Sequence, residues 1–405
     1  MRKFKSEAIV FSAICCLVYF TSYITRINFG AVISEICIAE GFLKSAVAIV
    51  TTCSFVSYGI GQIFSGWLGE KFKPHLLIFG GLLATSAVNI LIPFCTAIYQ
   101  MAILWFLNGF FQSFMWPPLV KIISMFTSDA KEYNKITTAV STSSAIATVL
   151  IYLVSPVLIN IGGWRSVFYV SAAIGVIAAF IWQFIYSKLP QSDNRIASEK
   201  TASYQRLDKT GFIIFAIMSI AIILQGMLRD GITTWLPSLV AETFNISASS
   251  AIFSSVVLPV MTIISLNLSA YIQRKIFKEE VFCAGLFFIV GFLSSLILAV
   301  VFGKTGMAVP VILASLTSAM MHGANMMLIC ITVPGFKKYG VSLMSGLLNS
   351  MTYIGSAIST YLFPKISEIT GGNWNTTVYI WAISALIGAI ICFALIPKWK
   401  KFKQS

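Results

Sequence analysis

The chain is 405 residues long, 58% hydrophobic and 10% charged, with a formal net charge of +14. A water-soluble core of this length cannot hide that much apolar surface, so a soluble globular domain is excluded, and most of that surface must face lipid or other spans. The positive charge calls for no nucleic-acid partner, because the lysines and arginines gather in the short loops between apolar runs.

Apolar runs recur at 8–34, 45–68, 75–94, 97–126, 136–160, 164–187, 210–239, 248–272, 280–302, 307–333, 341–366 and 374–397. A helix needs about 20 residues to cross the hydrocarbon layer, whereas barrel strands would be half as long and would alternate. The expected fold is an all-α polytopic membrane protein of twelve transmembrane helices. The polar stretch between the sixth and seventh runs divides it into an N-terminal six-helix bundle at 1–187, a cytoplasmic linker at 188–209 and a C-terminal bundle at 210–405 with a short basic tail.

In chain order, the first run places Tyr19, Tyr23 and Arg26 at i, i+4 and i+7, so one helical face carries two phenols and a cation. The second holds Tyr58, Gly59, Gly61 and Gln62, and its trailing loop holds Glu70 and Lys71. In the fourth, Lys121 follows Trp116-Pro117-Pro118 close to a cytoplasmic loop, where it either snorkels or makes a gate contact. The fifth contains Ser141-Thr142-Ser143-Ser144-Ala145, small residues that permit close helix approach. The seventh carries Arg229 and Asp230, the tenth His322 and Asn325, and the eleventh Asn349 and Tyr353.

Polar and charged groups at membrane depth face the bundle interior or a wet cavity. The first apolar run is too long for a cleavable signal peptide and is expected to remain as a helix. The eight cysteines show no CxxC spacing and read as small hydrophobes. No metal-ligand cluster, phosphate loop, nucleophile motif or cofactor signature is present in the sequence, so no enzyme activity and no cofactor are expected.

Orientation follows from the basic residues. Arg2, Lys3 and Lys5, Lys71 and Lys73, Lys131 and Lys135, Lys188, Arg195, Lys200, Arg206 and Lys209, Arg274, Lys275 and Lys278, Lys337 and Lys338, and Lys398, Lys400, Lys401 and Lys403 fall on one side, while Lys44, Arg165, Lys304 and Lys365 fall on the other. Both termini are therefore expected in the cytoplasm of a multi-pass cell-membrane protein.

The two halves repeat weakly. Ser65-Gly66-Trp67-Leu68 lies on Ser269-Ala270-Tyr271-Ile272, and Gly162-Gly163-Trp164 lies near Gly371-Gly372 and Trp374. Parallel six-helix halves of this kind are the plan of transporters whose substrate binds near the midplane while the halves rock around it. In that frame Arg26 and Arg229 are equivalent positions. Either both snorkel to the outer surface, or they share one anion, which guanidinium forks match bidentately.

The two-half plan, the loop Gly66 to Lys73 and Gly163-Trp164-Arg165 resemble the major facilitator superfamily over the whole length. Tyr-x-x-Arg-x-Asn-Phe at 23–29, Tyr58-Gly59, Trp116-Pro117-Pro118, Leu228-Arg229-Asp230-Gly231 and Tyr353 resemble, more narrowly, the organophosphate:phosphate antiporters, which include glycerol-3-phosphate and hexose-phosphate transporters. The resemblance implies that Arg26 and Arg229 grip phosphate, that Tyr19, Tyr23, Tyr58 and Tyr353 line the site, and that transport runs by a rocker-switch. Two departures stand out: Gln62 replaces a lysine of the glycerol-3-phosphate transporters, and the fifth run has Ser143 and Ser144 where they carry a histidine.

The function expected is secondary transport of a small phosphorylated organic anion, with inorganic phosphate as the counter-substrate that the resemblance implies. Substrate ligands would be Arg26, Arg229, Tyr19, Tyr23, Tyr58, Gln62, His322, Asn325 and Tyr353, with Asp230, Lys121, Glu70 and Lys71 in coupling or gating, and one chain is expected to suffice. Proton-coupled uptake of a carboxylated sugar and a transporter-like sugar-phosphate sensor are the alternatives.

Overall fold

The computed structural model describes residues 2–42, 44–189, 205–246, 254, 257–371 and 373–404. Every regular element among them is helical, as the burial of backbone polar groups in lipid demands. The helices are α1 (Arg2–Glu40), α2 (Lys44–Lys71), α3 (Pro74–Leu91), α4 (Ile98–Gln112), α5 (Trp116–Phe126), α6 (Ala130–Lys188), α7 (Lys209–Phe244), α8 (Val257–Ile272), α9 (Glu280–Val301), α10 (Ala308–Asn325), α11 (Val341–Ile369) and α12 (Asn375–Gln404). Short π-helical segments, Gln273–Phe277 and Met326–Ile331, continue α8 and α10.

Local chemistry sets the ends. Asp129 caps α6 by accepting from the Glu132 amide at 2.7 Å, and Asp208 caps α7 by accepting from the Gly211 amide at 2.6 Å. The run at 97–126 is two helices rather than one, because Pro117 and Pro118 have no N–H to donate and are tolerated only in the first turn of α5. The runs at 136–160 and 164–187 remain two helices: within α6 the chain leaves helical geometry at Gly162 (φ −146°, ψ 20°) and Gly163 (φ 69°, ψ −178°), the latter a conformation glycine adopts without strain, so α6 is one helix before that kink and another after it. Residues 190–204, most of the linker expected at 188–209, lie outside the described residues, as do 247–253 at the start of the eighth run.

The chain divides into two compact units, one of Met1–Arg206 with Lys337–Ser350, the other of Leu207–Phe336 with Met351–Ser405. Within the first, α1 packs on α6, α2 on α4, and α3 on both α4 and α6. Within the second, α7 packs on α12, α8 on α10, and α9 on both α10 and α12. The packing order is the same, which is what parallel repeats require.

Matching tethers reinforce it. Trp164 Nε1 donates to Glu40 Oε1 at 3.2 Å and Trp374 Nε1 donates to Glu242 Oε2 at 2.6 Å, so each half ties the end of its first helix to the beginning of its last. Glu40 also takes Arg165 at 2.7 Å, and Arg165 lies over the Trp164 ring. The core of the first unit centres on Phe29, Trp105, Trp164 and Phe168. Ile103, Phe180, Phe184, Ile264, Ile297, Ile383 and Ile390 are exposed on the outer faces, an arrangement suited to lipid and not to water.

Candidate functional site

In the first unit Arg26 projects from α1 among aromatic rings. Its guanidinium carbon is 4.3 Å from the ring centre of Tyr23, on its own helix, and 4.8 Å from that of Tyr58 on α2. Phenol faces attract a cation, most strongly where water is scarce. Tyr19 extends the cluster, with its ring 5.3 Å from Tyr23 and 4.8 Å from Trp116. Tyr58 is 2% exposed, so α2 presents it as a wall.

Gln62, one turn beyond Tyr58, is fully buried. Its Oε1 accepts from Asn349 Nδ2 of α11 at 3.0 Å, and its Nε2 has no hydrogen-bond partner among the described residues. A buried amide nitrogen in that condition is poised to donate to an oxygen of a ligand or a water.

The helix segment bearing Arg26 is held by amides. The Thr25 carbonyl accepts from Asn89 Nδ2 of α3 at 3.1 Å and from Asn108 Nδ2 of α4 at 3.2 Å. Asn28 donates to Asn89 Oδ1 at 2.6 Å, Gln112 Nε2 to the Thr25 hydroxyl at 2.8 Å, and Ser22 to Gln112 Oε1 at 2.7 Å. All six residues are essentially dry. None of them was among the sequence-derived site residues, although Asn28, Asn89 and Asn108, being polar in apolar runs, carry the same signal that singled out His322 and Asn325.

Elsewhere in this unit Lys121, on α5, pairs with Glu70 Oε2 at 2.6 Å and donates to the Gly69 carbonyl at 3.1 Å. Glu70 Oε1 accepts from the backbone N–H of Ser342 at 2.6 Å and of Leu343 at 3.3 Å, in the first turn of α11. A carboxylate there offsets the positive end of the helix. Lys121 thus joins Glu70 rather than the aromatic cluster, and Lys71 lies over the Trp67 ring at 3.9 Å.

In the second unit Arg229 projects from α7. Its Nε and Nη2 donate to Asp230 Oδ1 at 2.6 Å and Oδ2 at 2.8 Å, a two-point fork, and Nη1 donates to Asn325 Oδ1 of α10 at 2.9 Å. Asp230 Oδ2 also accepts from Ser356 Oγ of α11 at 2.5 Å. His322, one turn before Asn325, acts electrostatically on both members of the pair. The Arg229 carbonyl accepts from Thr233 at 2.7 Å and Ser318 at 3.2 Å, so this backbone too is held by side chains. Asp230, Asn325 and His322 therefore converge on Arg229, while Tyr353 is a buried residue of α11. Ser356 and Ser318 were not singled out from sequence, since serines are common packing residues in membrane helices.

The Major Facilitator Superfamily model matches residues 15–359. The chain belongs to the major facilitator superfamily. As a member, it is an integral membrane transport protein and not an enzyme. Its relatives include a probable hexose phosphate transport protein of Chlamydia pneumoniae, 22% identical over 96% of this chain and 90% of the relative. The glycerol-3-phosphate transporter of Bacillus subtilis (strain 168) is 23% identical over 95% and 90%. The membrane sensor protein UhpC of Salmonella typhimurium is 24% identical over 94% and 88%. Among solved structures, the proton:xylose symporter XylE gives a TM-score of 0.74 at 12% identity, covering 97% of this chain and 96% of that one. The transporter FucP in its outward conformation gives 0.72 at 14%, covering 98% and 100%. These two likenesses fix the fold as that of the superfamily.

Proposed function

We propose that this superfamily member carries a small phosphorylated organic anion across the cell membrane by alternating access, with both termini cytoplasmic and anion exchange as its coupling. The reading rests on one observation above others: each unit supplies one arginine, Arg26 or Arg229, from the corresponding helix, set among side chains that orient its guanidinium. Tyr23, Tyr58 and Gln62 then complete the first unit's contribution, and Asn325 and His322 the second's. The kinship with a hexose phosphate and a glycerol-3-phosphate transporter over nine-tenths of the chain favours a phosphate ester. Glu70, which accepts from the first turn of α11 and holds Lys121, is assigned with Lys121 to the cytoplasmic gate.

A sensor relative, matched over 94% of this chain, supports a second reading, in which the chain binds a sugar phosphate without moving it. The test is reconstitution in liposomes preloaded with phosphate, followed by uptake of labelled glucose 6-phosphate, glycerol 3-phosphate and a hexuronate. Exchange of a phosphate ester, abolished by Arg26→Gln and by Arg229→Gln, is expected. Binding without uptake selects the sensor, and normal uptake in either variant refutes the assignment of the arginines.

A further inference from the structure

We propose that Asp230 is an internal counter-anion of the Arg229 subsite, which an incoming anion displaces while Asp230 takes up a proton. The inference rests on the reading of Arg229 as an anion ligand.

Consecutive residues of a helix do not face each other, so Arg229 and Asp230 meet only because both side chains turn toward one another. They meet in the geometry by which a guanidinium holds any two-oxygen anion, with Nε on Oδ1 and Nη2 on Oδ2. The contact is fixed from three helices. Asn325 of α10 holds the remaining nitrogen Nη1, and Ser356 of α11 donates to the carboxylate. Arg229 and Asp230 are 11% and 23% exposed at their side chains, so the pair is largely dry. The fork of Arg229 is thus already filled by a carboxylate of the chain itself, whereas the cation of the first unit lies against phenol rings.

An external phosphate or carboxylate reaches that fork only by replacing Asp230. A displaced, ionised carboxylate beside the new anion is a like-charge pair in a poorly hydrated place. Taking a proton from the aqueous phase removes the repulsion and leaves a neutral acid. When the anion departs, the proton is released and the carboxylate returns to Arg229. The charged and titratable groups acting on Asp230 are Arg229 on its own helix and His322 on α10, with Ser356 as its neutral partner from α11. Each anion therefore travels with one proton, in exchange or in net uptake alike, and acidification tightens binding.

The experiment uses the full chain in nanodiscs with glucose 6-phosphate and glycerol 3-phosphate as probes. At pH 8 both probes are dianions, and binding to guanidinium keeps them so, so any proton taken up belongs to the protein. Proton uptake approaching one per anion bound is expected for the wild type in weak buffer. Asp230→Asn is expected to abolish it, to bind several-fold more tightly at pH 8, and to lose the wild type's steeper affinity change between pH 6 and 8. The titration of the probe itself is common to both proteins and cancels in their ratio. Anion binding by the wild type with no proton uptake overturns the proposal, as does uptake that survives in Asp230→Asn and disappears in His322→Gln. Weaker binding in Asp230→Asn would make Asp230 a support of Arg229 instead, and also overturns it. If neither probe nor inorganic phosphate binds the wild type at all, the reading of the arginines fails first. The wild-type proton measurement needs no variant to fold.

Discussion

Replacing Asn89 by leucine tests how the Arg26 segment is held. The substitution keeps the side-chain volume but removes three hydrogen bonds, from Asn28 at 2.6 Å, to the Thr25 carbonyl at 3.1 Å and to the Thr85 carbonyl at 2.8 Å. Thr25 keeps Asn108 as a second donor, so the group left stranded is the Asn28 amide, which has no exposure to water. Hydrogen bonds in membrane bundles average about 0.6 kcal/mol each, and a buried donor without a partner costs about 1–3 kcal/mol. The loss is therefore about 3–5 kcal/mol. At roughly 2–4 °C per kcal/mol for a unit of this size, the melting midpoint falls by roughly 6–20 °C. Cys15, Cys95, Cys283, Cys330 and Cys392 are buried, so a thiol-reactive dye reports the transition directly. Replacing Asn28 as well removes the stranded group, and the double variant should recover about 1–2 kcal/mol relative to additivity. An Asn89→Leu protein melting within about 2 °C of the wild type, or strictly additive losses, would show that the amides merely coexist.

Three further outcomes follow from the same geometry. Tyr58→Leu removes a ring face from Arg26 worth about 0.5–2 kcal/mol, so anion affinity in a binding titration should fall roughly 2–30-fold while Tyr58→Phe stays close to wild type; equal effects of the two would assign the role to the hydroxyl. Gln62→Lys restores a cation where the amide nitrogen lacks a partner and should strengthen binding of phosphate monoesters several-fold, whereas unchanged affinity would place Gln62 outside the site. Trp374→Phe removes a charge-assisted hydrogen bond worth about 1.5–3 kcal/mol, and Trp164→Phe should cost less because Arg165 still holds Glu40; equal melting shifts would contradict the asymmetry.

These residues also show where sequence reasoning reaches and where it stops. Arg26 and Arg229 stand out because a guanidinium in an apolar run admits few explanations, and equivalent placement in a repeated chain narrows them further. The helices were legible for a similar reason, since lipid leaves the backbone little choice. Partners were less so. The sequence sets the acid Asp230 beside Arg229, but the two-point fork between them, with Asn325 of α10 on the guanidinium and Ser356 of α11 on the carboxylate, depends on the packing of α7 against α10 and α11. Glu70 belongs to a recognisable stretch, read as a loop from sequence but forming the last turn of α2, and the amides it accepts from are 272 and 273 residues away.

The amide cluster makes the distinction sharpest. Each of Asn28, Asn89, Asn108 and Gln112 could be read singly as a polar group that must point inward. That the side chains from α3 and α4 meet at one residue of α1, Thr25, beside Arg26, depends on the relative rotation of three helices, which periodicity does not encode. The same applies to function. A transporter must hold its ligand firmly in one arrangement and release it in another, so its cations need supports that are rigid and partners that can be exchanged. In the first unit the supports are the amides on Thr25; in the second the exchangeable partner, on the proposal made above, is Asp230. Sequence identifies the cations, while the difference between a support and an exchangeable partner lies in which atoms they face.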